Sequence, residues 1–526
     1  MPSATQPGYL QRAVRMLRPS HEHSARSATL LVMTVVMIAR VIGYVRQAYI
    51  GYAFGAGVET DAYVAAFIVP DFLTYLLAGG VTSITFISIY TRYTSENREN
   101  EAQRTLSIII TVMAVVFALG GLVAGVFAPQ IVRHIFPKFG PEELRLCVYL
   151  TRILLPQPLF VFVGGALGAV LLSKRMFLIP SLTSIIYTLC LIAGGILLSG
   201  RIGIASLALG ATAGAFIGPF LMNAIGAARH GVRYSPSLDI KNAGFREWLW
   251  ISIPLMLGVS LVTADDWLLS YFASGGVGDI ARLNYAKRLL QVPVAVMAQA
   301  AGQAALPFFA KLFSEKRLVE FEEQVNRAVY RVAAASFLIT AWMMATTLPI
   351  TDLAMRRGKF TFVDSQETAI FLFWFALSLA FWAAQAIYAR GFYGAGSTWT
   401  PMIAGTIVTA VIIPVYYASF HALGVTGLTI ASDIGIATHT IVLAILLHRR
   451  KLVTFGLMPW RELGKAAITA VFAGLLAFKA GSLIPLSGGR LPDIEAFSLA
   501  SITWAIAVAF GLWVTKSNLP GVLRKK

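Results

Sequence analysis

Cysteine is nearly absent. Cys147 and Cys190 are the chain's two, and both fall in apolar runs, which excludes a disulfide framework and a thiolate metal site. Histidine is little more plentiful: the seven residues show no metal-ligand spacing, and no HExxH, P-loop or nucleophile elbow occurs. Charge is scarce too. Asp, Glu, Lys and Arg make up 13% of the 526 residues, where soluble chains carry about 25%. Acidic residues number 25 against 43 basic ones, for a net charge of +18. In a soluble chain that excess would suit nucleic acid, but here the basic residues sit mostly in short loops between apolar runs, as cytoplasmic anchoring of membrane helices requires. Gly51, Gly55 and Gly57 lie in no βαβ unit and read as a turn rather than a phosphate loop. Nothing argues for covalent chemistry, a cofactor or an enzyme.

What is present is apolar length. The chain is 57% hydrophobic, with a mean hydropathy of +0.72, and reads as an all-α polytopic membrane protein. Hydropathy marks about fourteen spans of helical length, in residues 28–50, 61–90, 106–128, 146–172, 177–198, 202–227, 248–272, 283–309, 329–348, 369–389, 401–419, 424–447, 463–483 and 497–514. Helices rather than barrel strands follow from those lengths, since a barrel strand needs only about ten residues with strict alternation.

Loop charge gives an orientation. With the N-terminus inside, the inner loops hold Arg92, Arg98 and Arg104, then Lys174 and Arg175, then the basic residues of 229–246, 311–327 and 449–461. The outer loops hold far fewer, chiefly Arg133, Lys138, Arg145, Arg201, Arg356, Arg357, Lys359 and Arg490. That asymmetry of about threefold places both termini in the cytoplasm. Residues 1–27, with Arg12, Arg15, Arg18 and Arg26, form a basic cytoplasmic lead-in rather than a cleavable signal, and 517–526 a basic cytoplasmic tail.

Against this apolar background, charges inside the spans are conspicuous. Arg40 and Arg46 lie in the first span, Asp61 and Asp71 in the second, Asp265 and Asp266 in the seventh, Lys287 and Arg288 in the eighth, and Asp433 with His439 in the twelfth. A guanidinium at membrane depth costs at least about 2.5 kcal/mol, so such residues face a protein-lined cavity and meet an anion or a carboxylate there. Arg40 and Arg46 are six residues apart, about 120° around a helix and about 9 Å along it, so they line one wide cavity rather than one tight clamp.

An internal repeat accompanies them. Residues 61–79 and 284–302 align without a gap: a polar residue nine before proline, a Val-Pro pair (Val69-Pro70, Val292-Pro293) and Ala-Gly beyond it. The pattern divides spans 1 to 6 from spans 7 to 12 as a parallel duplication, with Pro70 and Pro293 bending equivalent helices beside a central cleft.

The run from Arg40 to Arg46, with Phe54-Gly-Ala-Gly57, Thr60-Asp61-Ala62 and Val69-Pro70, resembles the first two helices of the MurJ (MviN) lipid II flippases. Phe272-Ala-Ser274, Asn284 through Leu289, Leu306-Pro307, Arg357 through Thr361, Gly391-Phe-Tyr393 and Thr400-Pro401 continue the resemblance in order. It implies the fold of the multidrug/oligosaccharidyl-lipid/polysaccharide exporters: two six-helix lobes in a V, here 28–230 and 246–450, plus two helices in 462–516 forming a lipid-tail groove. It further implies a flippase, not an enzyme, in the bacterial cytoplasmic (inner) membrane. The substrate would be the undecaprenyl-pyrophosphate-linked peptidoglycan precursor, moved from inner to outer leaflet by alternating access. The expected partners are that anionic lipid, membrane lipids and the cell-wall synthesis machinery, with the chain itself a monomer.

The resemblance carries substrate contact to Arg40, Arg46, Asp61 and Arg288, with Lys287 beside them. This chain departs from the family pattern at Thr74-Tyr75, Gly79 and Lys287. The coupling site of some members, a sodium ion between helices 7, 11 and 12, does not carry over intact, because 401–419 has no carboxylate. Asp433 with Asp265 or Asp266 is the candidate for a proton or sodium site, and the membrane potential, at about 2.3 kcal/mol per charge per 100 mV, is a third source of drive. Two rival readings stand beside this one: a flippase for another polyprenyl-linked glycan, and a cation-coupled multidrug exporter of the same superfold.

Overall fold

The computed structural model describes residues 25–78, 84–174, 176–257, 261–486 and 489–524, and every regular element among them is helical. Helices overlap each of the fourteen expected spans. By length and composition, however, eight of the described helices can each cross a membrane, or nine if Phe362–Ala376 and Leu379–Gly394, bent by 45°, form one span. Part of the difference has a visible cause. Trp399–Arg449 counts once but holds spans 11 and 12, broken at Gly424, whose φ of 62° and ψ of −144° no helix contains. The second and eighth spans are divided into shorter helices, such as Val58–Ala66 and Ile68–Ala78, each too short alone, and the seventh includes residues 258–260, outside the described residues. The count of fourteen is therefore not reached among the described residues.

Local chemistry sets the boundaries. Proline stands at the first or second position of Ala128–Ile135, Pro141–Leu154 and Gln157–Ser173, where its missing N–H is not needed. Phe362–Ala376 starts from a capping box: Thr361 Oγ1 accepts from Asp364 N at 3.2 Å, and Asp364 Oδ2 accepts from Thr361 N at 2.9 Å.

By contact the chain divides into two units, residues up to 49 with 58–257, and residues 50–57 with 258–526. The sequence reading places that division between 230 and 246. In the structure the helix Ala243–Leu257 belongs to the first unit because Phe245 and Trp248, both buried, join the aromatic and aliphatic core of Ile84–Ser95 and Glu99–Val126. Glu247 adds an ion pair to Arg92 at 2.6 Å, and Asp239 one to Arg104 at 3.1 Å.

Residues 50–57 join the second unit through backbone. Lys359 N donates to Tyr52 O at 2.9 Å, Tyr285 Oη donates to Gly55 O at 2.9 Å, and the Tyr285 ring meets Phe360 edge-on. A Cβ at Gly358, where φ is +59°, would lie 2.2 Å from Tyr52 O, so only glycine lets the two turns meet. Helices Trp460–Gly481 and Arg490–Val514 pack on each other and on Leu318–Ala345, where Trp504 Nε1 donates to Leu338 O at 3.0 Å and Trp342 Nε1 to Ser501 Oγ at 2.9 Å.

Candidate functional site

In the first unit, the helix Ala25–Phe54 carries Arg40 and Arg46. Arg40 is exposed, and Arg46 is half-buried, with its guanidinium in electrostatic reach of the hydroxyls of Tyr63 and Tyr187. Asp61 is fully buried in the first turn of Val58–Ala66, where the helix dipole favours a carboxylate. Asp71, on the next helix, is exposed and in electrostatic reach of Tyr187.

Pro70 stands in the first turn of Ile68–Ala78, after a break at Phe67. Lacking an N–H, it leaves the Ala66 carbonyl without its helical partner, and Thr151 Oγ1 donates to that carbonyl instead, at 3.4 Å. Pro293 sits at the end of Asp279–Val294, immediately before the π-helical turn Ala295–Ala300. Both prolines thus mark interruptions of helical hydrogen bonding. The end of the first repeat copy, Gly79, lies outside the described residues.

In the second unit the charges resolve into a specific network. Lys287 is buried, and its ammonium donates to Asp265 and, at 2.5 Å, to Asp266. Asp265, also buried, accepts a further bond from the hydroxyl of Tyr416 on Trp399–Arg449. One ammonium between two carboxylates is how a low-dielectric site tolerates three charges together. Arg288, the next residue and so about 100° around the helix, is exposed and reaches Gln291 Oε1 at 3.1 Å. Asp433 differs from all of these. Both its carboxylate oxygens are buried, and the Ser378 side chain and the Asp265 carboxylate are in electrostatic reach of it.

The sequence reading misses Tyr63, Tyr187 and Tyr416, which put hydroxyls beside the intramembrane charges. A tyrosine in an apolar run carries no signal of its own, because its ring is what that run would hold anyway. Among the described residues, no group of three or more His, Cys, Asp or Glu side chains gathers to hold a metal ion. What the arrangement offers is recognition: exposed guanidiniums for an anion, and buried carboxylates for a proton or cation.

A family model described as lipid II flippase MurJ matches residues 50–486. The lipid II flippase MurJ of Burkholderia cenocepacia is 25% identical over 505 residues, spanning 93% of this chain and 96% of that one. The probable lipid II flippase MurJ of Synechocystis is 22% identical over 529 residues, spanning 96% and 97%. A solved structure of lipid II flippase MurJ in an inward closed conformation matches with a TM-score of 0.76 at 20% identity, over 92% of this chain and 99% of that one. An inward-facing multidrug resistance MATE transporter of the MOP superfamily matches with 0.63 at 15% identity, over 80% and 98%. At those identities the two structures speak to the fold alone.

Proposed function

The chain belongs to the lipid II flippase MurJ family, and from that membership we propose that it carries the undecaprenyl-pyrophosphate-linked peptidoglycan precursor from the inner to the outer leaflet by alternating access. It is a lipid II flippase of the bacterial inner membrane, a transporter and not an enzyme. The observation that carries this is the family match over residues 50–486. The experiment that tests it is rescue of cells depleted of their own lipid II flippase. Growth and normal shape are expected, and lysis despite membrane-inserted protein would overturn the reading.

The substrate contacts we assign are Arg40, Arg46 and Asp61 in the first unit and Arg288 in the second. A pyrophosphate brings at least two negative charges into a region of low dielectric, and bidentate guanidinium bonds are the strongest neutralising option short of a metal. The exposure of Arg40 and Arg288 supports their role, because a lipid head group can reach them. Lys287 we reassign from substrate contact to resident counter-cation, on the strength of its bonds to Asp265 and Asp266. That leaves Asp433 as the group for proton or sodium coupling.

The remaining parts follow the same reading. Pro70 and Pro293 are the hinges, and helices Trp460–Gly481 and Arg490–Val514 accommodate the polyprenyl tail. Both termini face the cytoplasm, a reading that rests on the loop charges, and the bond between Lys359 N and Tyr52 O fits the placing of those two stretches on one side. The chain works as a monomer beside the cell-wall synthesis machinery.

A further inference from the structure

We propose that Asp352 and Asp493 form a proton-binding carboxyl pair that, with Arg356, latches the start of the last long helix onto the second unit. Asp352 lies on the short helix Thr347–Met355 and Asp493 in the first turn of Arg490–Val514, and neither side chain is exposed. A single nitrogen serves both: Arg356 Nη2 is 2.9 Å from Asp352 Oδ2 and 2.8 Å from Asp493 Oδ2. Both oxygens of Asp352 and Oδ1 of Asp493 are buried with no hydrogen-bond partner, so Arg356 donates to Asp493 Oδ2 and holds Asp352 by charge. The two carboxyl groups are themselves close enough to bond each other.

Counting charge decides what is missing. Two carboxylates against one guanidinium leave one negative charge on two side chains with no exposed surface, the arrangement that drives like-charged pairs to share a proton. One proton removes that charge and also turns a buried acceptor into a donor for the neighbouring oxygen. A metal ion fits poorly, since hard cations take six or more oxygens or dedicated cages, and no third acidic or histidine side chain joins the pair among the described residues.

Among the described residues, the surrounding charges do not supply the deficit. On Phe362–Ala376, Asp364 and Glu367 are both held by Arg282. Arg490 and Glu495 on the last long helix, and Arg357 and Lys359 in the loop, are exposed and make no ion pair with either carboxyl. Leu318–Ala345 ends near Thr346 without a charge. The Trp342 and Trp504 bonds hold the last long helix along its length, and the carboxyl pair holds its first turn. Losing the shared proton therefore leaves a buried charge that loosens that turn.

The test uses the full chain in detergent and does not depend on transport. Infrared difference spectra between about pH 5 and about pH 9 should show a buried protonated-carboxyl band that is missing from both Asp352→Asn and Asp493→Asn. Release of the shared proton leaves an uncompensated charge on the buried pair, so its stabilisation is lost as pH rises. The melting temperature of the unsubstituted chain should accordingly fall more steeply with rising pH than that of either variant. Asparagine keeps the shape and donor capacity of a protonated aspartate, so both single variants are expected to fold. Misfolding of both, survival of the band in both, or identical pH profiles would each overturn the proposal.

Discussion

Lys287 holds its ammonium 2.5 Å from Asp266 Oδ1 while also donating to Asp265, so the cation between the two carboxylates of the seventh span is part of the chain itself. Removing one member of a buried ion pair costs about 3–5 kcal/mol, because the partner's charge is left uncompensated. Asp266 is partly exposed, which places the expected loss for Lys287→Met toward the lower end. Lys287→Met should be less stable than the unsubstituted chain, and replacing choline with sodium should stabilise the variant by more than it stabilises the parent. Combining Lys287→Met with Asp265→Asn should recover much of the loss. A Lys287→Met variant as stable as the parent in choline would show that the ammonium is dispensable.

Arg40 and Arg288 are expected to matter for transport and not for folding. A charge-assisted bond is worth about 1.5–3 kcal/mol, so Arg40→Ala or Arg288→Ala should slow lipid translocation about tenfold or more. Lysine should rescue poorly, since the planar fork is lost. Complementation assays alongside quantified membrane protein separate the two effects, and normal growth supported by the double alanine variant would remove both residues from the site.

The turn at Gly358 offers a stability test independent of transport. A left-handed conformation costs a non-glycine residue about 1–2 kcal/mol, and a Cβ there would strike Tyr52 O at 2.2 Å. Gly358→Ala should therefore lower the melting temperature by more than the same substitution at Gly57, where a Cβ meets nothing within 4 Å. Equal effects at the two positions would mean that the junction between residues 52–55 and 356–360 contributes nothing.

Topology is open to direct labelling. Single cysteines placed in 55–59 and 356–364 should react with impermeant reagents from outside intact cells. Labelling at one stretch and not the other would contradict the bond between Lys359 N and Tyr52 O as well as the assigned orientation.

Much of this fold is legible in the sequence because a bilayer imposes long apolar helices on any chain that crosses it. What escapes is how helices are interrupted. Pro70 and Pro293 announce irregularity, but the π-helical turn after Pro293 and the break at Phe67 depend on packing. The division near residue 257 is hidden for a similar reason, since nothing local says that Trp248 buries against the first unit. In the site, residue type and depth reveal the charges but not their pairing. Lys287 stands out in the sequence as an intramembrane cation, and its bond to Asp265, which Tyr416 reaches from more than a hundred residues away, shows only in the structure.

Asp433 gives the sharpest test of coupling. Asp265 and Asp266 are both held by Lys287, whereas Asp433 is a buried carboxyl of the second unit's intramembrane set that makes no ion pair among the described residues. A buried carboxylate in that position is costly, so the group is expected either to carry a proton or to recruit a cation. Ser432 and Thr438 are nearby in sequence on the same helix as candidate oxygens for the second case, and among the described residues no acidic or histidine cluster gathers to hold a metal ion. Asp433→Asn mimics the protonated form and cannot release the proton. In proteoliposomes with imposed gradients, the parent chain should transport lipid II at a rate that depends on pH or sodium, and the variant should be insensitive to the same gradient. The two cases separate by salt: replacing sodium with choline at constant pH slows the parent only if a cation is bound. If the parent and Asp433→Asn share both rate and ion dependence, Asp433 is a structural residue and the drive must come from the membrane potential acting on the arginines.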